Sequence, residues 1–230
     1  MPNMSLIYGH RGVPVKFPEN SLAGFAYAIN HHIDGLEFDV HLTKDMVPVI
    51  MHDERIDRTT DGEGAIADMT FKQLRYFKLA NGEPVPSLQE FLSLVSGEPV
   101  HLNLEFKTDR HFYPGIERIV LRMIKQTDLV YPVVFSSFNL KSLKRAYAID
   151  ASQKYAFLTS AHLGNPDEFA THEHLEGVHL EHFQPVKEVA ERVWTVDEPE
   201  PAVMQQLFAA AVNAVITNNF ELAQQVRAAM

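Results

Sequence analysis

Two acids one residue apart, Glu37 and Asp39, sit in the run Gly35-Leu36-Glu37-Phe38-Asp39-Val40. In a strand, side chains alternate, so both carboxylates share one face and Leu36, Phe38 and Val40 share the other. Buried carboxylates that close repel each other, and a divalent cation relieves the repulsion. Two solvated acids at a polar strand end are the alternative. Leu102-Asn103-Leu104-Glu105-Phe106-Lys107 repeats the arrangement, with Asn103, Glu105 and Lys107 on one face. Glu105 and Lys107 then form either an ion pair or a third metal ligand beside a phosphate contact. Three carboxylates with open positions suit a hard cation such as Mg2+ or Ca2+.

Two histidines complete the candidate site. Gly35–Val40 and Val47–His52 lie too close for a helix between them, and Thr43-Lys44-Asp45-Met46 reads as a tight turn. The two runs are therefore expected to form an antiparallel hairpin. A turn centred on Lys44-Asp45 sets Asp39 opposite Ile50 and Glu37 opposite His52. His52 then lies beside the carboxylate pair, whereas a slip of one residue sends it to the other face. Gly9-His10-Arg11-Gly12 follows the first strand. Its glycines allow a sharp turn and close approach of a ligand. The Arg11 guanidinium can give a phosphate two hydrogen bonds. A turn with a surface arginine is the plainer alternative. Histidines act as acid or base near neutral pH. Which role each of His10 and His52 takes, the residues leave open.

The elements needed to position these groups are legible in the remaining pattern. Candidate strands are 5–8, 35–40, 47–52, 100–106, 133–136, 154–157, 177–180, 193–196 and 214–217. Amphipathic helices are expected at 22–30, 112–126, 140–148, 202–211 and 222–229. Ser87-Leu88-Gln89-Glu90 is a capping box, and Asn139 precedes another helical run. Repeated strand–helix units predict an α/β fold, a TIM-type (β/α)8 barrel, with an open doubly wound sheet as the alternative. The polar stretch from 53 to 86 reads as a small insertion after the hairpin, within one domain spanning 1–230.

Composition narrows the function. The 230 residues are 46% hydrophobic, contain no cysteine and carry a formal charge of -10. Disulfides, thiolate zinc sites and cysteine nucleophiles are excluded. An acidic chain repels nucleic acid and anionic membranes on average, so neither is an expected partner. The first ten residues show no basic, apolar leader, so a cytoplasmic protein is expected. His172-Glu173-His174 and the pair His179 and His182 match no helical zinc spacing. Gly62-Glu63-Gly64-Ala65-Ile66-Ala67 follows no strand and is discounted as a dinucleotide loop. Trp194, Phe138 and Phe183 are candidate pocket walls. Asp53 and Asn20 either support the histidines or shape turns.

The ordered set Gly9-His10-Arg11-Gly12, Pro18-Glu19-Asn20-Ser21, Glu37-Phe38-Asp39-Val40, Val47-Pro48-Val49-Ile50-Met51-His52-Asp53 and Glu105-Phe106-Lys107 resembles the motifs of glycerophosphodiester phosphodiesterases. Arg58-Thr59-Thr60-Asp61-Gly62 resembles the start of that family's insertion. Trp194-Thr195-Val196 and Ile216-Thr217 resemble its late strands. The resemblance spans nearly the whole chain, and it is closest to the cytosolic bacterial branch. It implies a TIM-type barrel, a divalent metal on Glu37, Asp39 and Glu105, and His10 and His52 as general acid and base. Arg11 and Lys107 would contact phosphate, and Trp194 would line a glycerol pocket or pack in the core. The implied reaction turns a glycerophosphodiester, the small-molecule partner, into sn-glycerol 3-phosphate and an alcohol. A lysophospholipase D-like hydrolase and a non-catalytic phosphate binder are the alternatives. Three departures from the family pattern are Met46 in the hairpin turn, Asp197, and Asn218-Asn219. The sequence leaves a homo-oligomer open, with the insertion as the candidate contact.

Overall fold

The computed structural model describes residues 4–194 and 201–230. Eight parallel strands run β1 (Leu6–His10), β2 (Gly35–Leu42), β4 (His101–Phe106), β5 (Val134–Ser137), β6 (Lys154–Thr159), β7 (Gly177–Leu180), β8 (Ala190–Val193) and β9 (Ala214–Thr217). They close into a barrel in the order β1-β9-β8-β7-β6-β5-β4-β2, because β2 also pairs with β1. A short β3 (Pro48–Ile50) pairs antiparallel with β2 outside the ring. The connecting helices are α1 (Leu22–Asn30), α2 (Phe71–Leu74), α3 (Leu88–Val95), α4 (Ile116–Lys125), α5 (Leu140–Ile149), α6 (Pro166–His172), α7 (Pro201–Ala209) and α8 (Phe220–Ala228). The TIM-type barrel expected from the strand–helix repeat is therefore present, and the open sheet is not. No helix among the described residues is long and apolar enough to cross a membrane.

Local chemistry explains most boundaries. Ser21 caps α1 by accepting from Gly24 N–H at 3.1 Å. The expected Ser87–Glu90 capping box is made in both directions, and Thr70 with Gln73 forms a second one. All eight residues of β2 are buried, and Leu36, Phe38, Val40 and Leu42 join the main core between barrel and helices. Phe38 packs 4.2 Å from Phe91 of α3, and Phe91 lies 4.8 Å from Phe25 of α1. This aromatic clamp grips the outer face of β2. Glu37 and Asp39, on the opposite face, are thereby held toward the barrel axis.

Three expected boundaries are corrected. The hairpin register is shifted by one: Val40 pairs with Ile50, and Leu42 with Pro48. The turn has three residues rather than two. Thr43 N–H bonds Val47 O, and Met46 stands at φ +64°. A three-residue loop ending in a left-handed residue adds one position to the return strand. Met46 therefore fills the conformation glycine favours, which a reading centred on Lys44-Asp45 overlooks. Helix α4 begins at Ile116, not Phe112, because Pro114 and left-handed Gly115 (φ +86°) precede it. The strand expected at 193–196 is β8 at Ala190–Val193. Charged Glu191 and Arg192 lie in it, buried because Arg192 pairs with Glu176 at 2.9 Å and Glu191 accepts from Gln184 N–H. Thr195, Val196 and Asp197 lie outside the described residues.

The stretch from 53 to 86 supplies no barrel strand. Ile56, Ile66, Leu74, Leu79 and Val85 form an apolar cluster with Val49 and Met51 of the hairpin. This stretch is thus packed onto the strand that leads to His52.

Candidate active site

Parallel register assembles the site at the C-terminal ends of the strands. His10 of β1 pairs with Glu37 of β2. Asp39 pairs with Glu105 of β4, and Glu37 with Asn103. One carboxylate oxygen each from Glu37, Asp39 and Glu105 lies within 4.8 Å of the other two, and all three residues are buried. This is the one group among the described residues with a metal-binding constellation, so the other histidine clusters form none. The turn at Gly9 is sterically specified, because a Cβ there would stand 2.3 Å from Gly12 O. That turn holds Arg11 at φ +53° and aims its backbone N–H at Glu37 Oε2, 3.0 Å away.

The charges are unbalanced in favour of a cation. Burial and the neighbouring carboxylates push Glu37 well above the usual carboxylate range. Burial also raises Glu105 to about 7, although the Lys107 ammonium 2.9 Å away opposes this. Burial would raise Asp39 too, but Lys107 and Arg11 outweigh it and hold that group ionised. Asp39 Oδ2 accepts from Asn20 Nδ2 at 2.9 Å, while its buried Oδ1 accepts no hydrogen bond. An unsatisfied buried carboxylate oxygen carries a desolvation cost that a coordinated cation removes. The donor set, three carboxylates and no thiolate, fits a hard divalent ion.

His10 and His52 stand in different settings. Asn218, directly after β9, accepts from His10 Nδ1–H at 2.8 Å. The Nε2 lone pair then faces Glu37, 3.9 Å away. Burial, aided by Arg11, lowers His10 to about 4, so the ring is neutral at pH 7. His52 Nδ1–H donates instead to Asp53 Oδ1 at 2.7 Å. Burial would raise Asp53, but hydrogen bonds from Arg58 and His52 bring it down to about 2. Arg58 also bridges to Glu19, which in turn bonds Arg11 at 3.2 Å.

His52 reaches the site although the register that predicted it is wrong. Strand β3 ends at Ile50, and the chain bends at His52, so alternation no longer dictates its face. The bend turns the ring to the cavity shared with His10, Arg11, Glu37, Asn103, Glu105, Phe138 and Trp194. That inner cavity measures about 40 Å3, enough for a few water-sized groups. An outer cavity of about 590 Å3 shares His52, Phe138 and Trp194 with it and adds Lys107, Asp53, Glu54 and Asp109. Trp194 stands edge-on to Phe138, 5.6 Å between centroids, lines both spaces and also packs on the buried cluster of Tyr8, Ala214 and Ile216. Phe183 is exposed and lines neither. Asp53 supports His52 as expected; Asn20 supports Asp39, not a histidine.

Two residues were missed. Asn218 counted only as a departure from a pattern, and nothing local ties it to a histidine 208 positions away. His41 is the second: alternation puts it on the face of Glu37 and Asp39, a signal that was available. Its ring is buried, with Nδ1 2.9 Å from Tyr113 Oη and Nε2 3.1 Å from the His52 carbonyl oxygen.

The sequence pattern of the glycerophosphoryl diester phosphodiesterase family matches residues 10–222. A glycerophosphodiester phosphodiesterase from Caldanaerobacter subterraneus is 32% identical, over 94% of this chain and 95% of that protein. Among solved structures, a phosphodiesterase from Oleispira antarctica in complex with the product sn-glycerol-3-phosphate superposes with a TM-score of 0.85. It is 27% identical and the match covers 97% and 96% of the two chains. A glycerophosphodiester phosphodiesterase from Thermotoga maritima has a TM-score of 0.80 at 27% identity, over 96% and 98%. With barrel, acidic triad and paired histidines in place, the chain belongs to the glycerophosphoryl diester phosphodiesterase family and is an enzyme of that class.

Proposed function

We propose that this enzyme hydrolyses glycerophosphodiesters to sn-glycerol 3-phosphate and an alcohol, with His10 as general base and His52 as general acid. The observation that carries this reading is the unequal tethering of the two rings in one cavity. The buried His10 ring gives its Nδ1 proton to the neutral Asn218 amide and keeps its Nε2 lone pair, while His52 gives its Nδ1 proton to the Asp53 carboxylate. The product bound to the Oleispira antarctica relative supports the substrate class.

Glu37, Asp39 and Glu105 would hold one Mg2+ or Ca2+ ion. When bound, the ion supplies positive charge to the non-bridging phosphate oxygens. The protein's own groups do the rest. Arg11, whose Nε lies 3.6 Å from Asp39 Oδ2 and makes no hydrogen bond, would give its guanidinium to a phosphate oxygen. Lys107 reaches the outer cavity and adds a second cation there. Phe138 and Trp194 form an apolar wall suited to the carbon face of glycerol and exclude water from it. His10 Nε2 removes the proton from the attacking oxygen. His52, which also borders the outer cavity, protonates the departing alkoxide there. Each such transfer is typically worth about 10²–10⁴-fold.

The test is turnover of glycerophosphocholine, read as sn-glycerol 3-phosphate, with and without a chelator. Lysophosphatidylcholine serves as a parallel substrate. Turnover of the glycerophosphodiester that stops on chelation and returns with Mg2+ or Ca2+ is expected. Chelator-resistant turnover defeats the metal assignment. Preference for the lysolipid defeats the substrate assignment.

A further inference from the structure

His41 takes no part in the chemistry above, yet it is fully buried one alternation beyond Asp39 on the same face of β2. Both ring nitrogens are engaged. The His52 carbonyl can only accept, so His41 Nε2 carries the proton and donates it at 3.1 Å. In the neutral ring, Nδ1 then accepts, and the Tyr113 hydroxyl donates to it at 2.9 Å. A one-way chain results, Tyr113 O–H to His41 Nδ1, then His41 Nε2–H to the carbonyl of His52.

The place where this chain ends matters. The ladder between β2 and the return strand finishes with Met51 N–H on Asp39 O, at 3.2 Å. His52 is the next residue, already in the bend. Its ring orientation therefore owes nothing to strand pairing. In that ladder Met51 is a hydrogen-bonded position and His52 is not, so the His52 carbonyl takes its hydrogen bond from the His41 ring instead. Tyr113, buried in the loop before α4, locks that ring from the other side and lies edge-on to it at 5.6 Å.

We propose that His41 is the positioning residue of His52, holding the backbone of the acid through its carbonyl while Asp53 holds the ring. This rests on the assignment of His52 as a proton donor. A displacement of about 1 Å at a catalytic group can cost on the order of 100-fold in rate.

The experiment compares H41L, H41Q and Y113F with the wild type on glycerophosphocholine, with Mg2+ binding followed calorimetrically. Leucine fills the space with neither hydrogen bond. Glutamine offers an N–H to the carbonyl and an oxygen to Tyr113. The expected result for H41L is a kcat lower by about 30–100-fold, with KM and Mg2+ affinity within about threefold of wild type. H41Q is expected to recover kcat to within about fivefold, and Y113F to lose about three- to tenfold. H41L turning over at the wild-type rate overturns the proposal, and so does H41Q falling as far as H41L. If H41L does not fold, Y113F decides: a wild-type kcat in Y113F overturns it. If the wild type itself shows no turnover, the functional reading fails, and crystal structures of H41L and H41Q test the positioning alone. His52 shifted in H41L and restored in H41Q supports it; His52 unmoved in H41L overturns it.

Discussion

With His52 as the proposed proton donor, its removal should affect hydrolysis only as far as the leaving group needs a proton. An aliphatic alkoxide such as that of choline leaves poorly without one, whereas p-nitrophenolate leaves unaided. His52→Ala should therefore lower kcat on glycerophosphocholine by about 10²–10⁴-fold. On glycerophospho-p-nitrophenol the same variant should lose less than about tenfold. His10→Ala, which loses the base, should lose heavily on both. The structure also sets a graded version. Asp53 accepts a 2.7 Å bond from His52, and the two side chains are 31% and 30% exposed. A hydrogen bond to a charged group is worth about 1.5–3 kcal/mol, and this exposure favours the lower end. Asp53→Asn should then cost about 1.5 kcal/mol, or about tenfold in kcat, on glycerophosphocholine alone. The assay is steady-state kinetics on both substrates at saturating Mg2+. If His10→Ala rather than His52→Ala is rescued by the nitrophenyl ester, the roles are reversed. If neither is rescued, the acid–base division is wrong.

Other outcomes follow from the same geometry. Glu105 is raised from an unfolded carboxylate value to about 7, so in metal-free protein it destabilises the fold progressively as pH rises from about 4.5 through 7. A metal ion bound there would displace that proton and the one Glu37 also retains, so Mg2+ affinity measured by calorimetry should tighten by at least about tenfold per pH unit below 7; a pH-independent affinity contradicts the buried-triad account. Asp39→Asn should abolish Mg2+ binding by the same measurement, leaving circular dichroism unchanged. Gly9→Ala drives a Cβ to 2.3 Å from Gly12 O; the turn must shift, carrying Arg11 N–H off Glu37. Turnover should fall at least about tenfold and Tm by several degrees, and a wild-type Tm would show that the turn accommodates a side chain. Phe38→Ala removes the ring gripped by Phe91, and should cost about 3–5 kcal/mol in urea unfolding.

Much of the site was legible because strand alternation is a local steric fact. Glu37 with Asp39, and Glu105 with Lys107, share faces whatever the rest of the chain does. Helix starts at Ser87 and Asn139 were equally local, since a cap needs only its own next turn. The same alternation pointed to His41, which the expectation passed over. Where a charged residue was buried against a distant partner, as Arg192 is against Glu176, the apolar pattern misplaced the strand.

What the chain alone determined, then, was which side chains share a face and how often strands and helices alternate. The barrel decided which faces meet. His10 stands beside Glu37, and Asp39 beside Glu105, through parallel register across helical crossovers. That register is set by packing such as the Phe25–Phe91–Phe38 clamp and not by any residue near the site. Asn218 on His10, and His41 with Tyr113 behind His52, arise the same way. His52 itself marks the boundary most clearly. Its presence was evident in sequence, but a left-handed Met46 shifted the hairpin, and a bend held by side-chain hydrogen bonds, not strand pairing, turned it to the site.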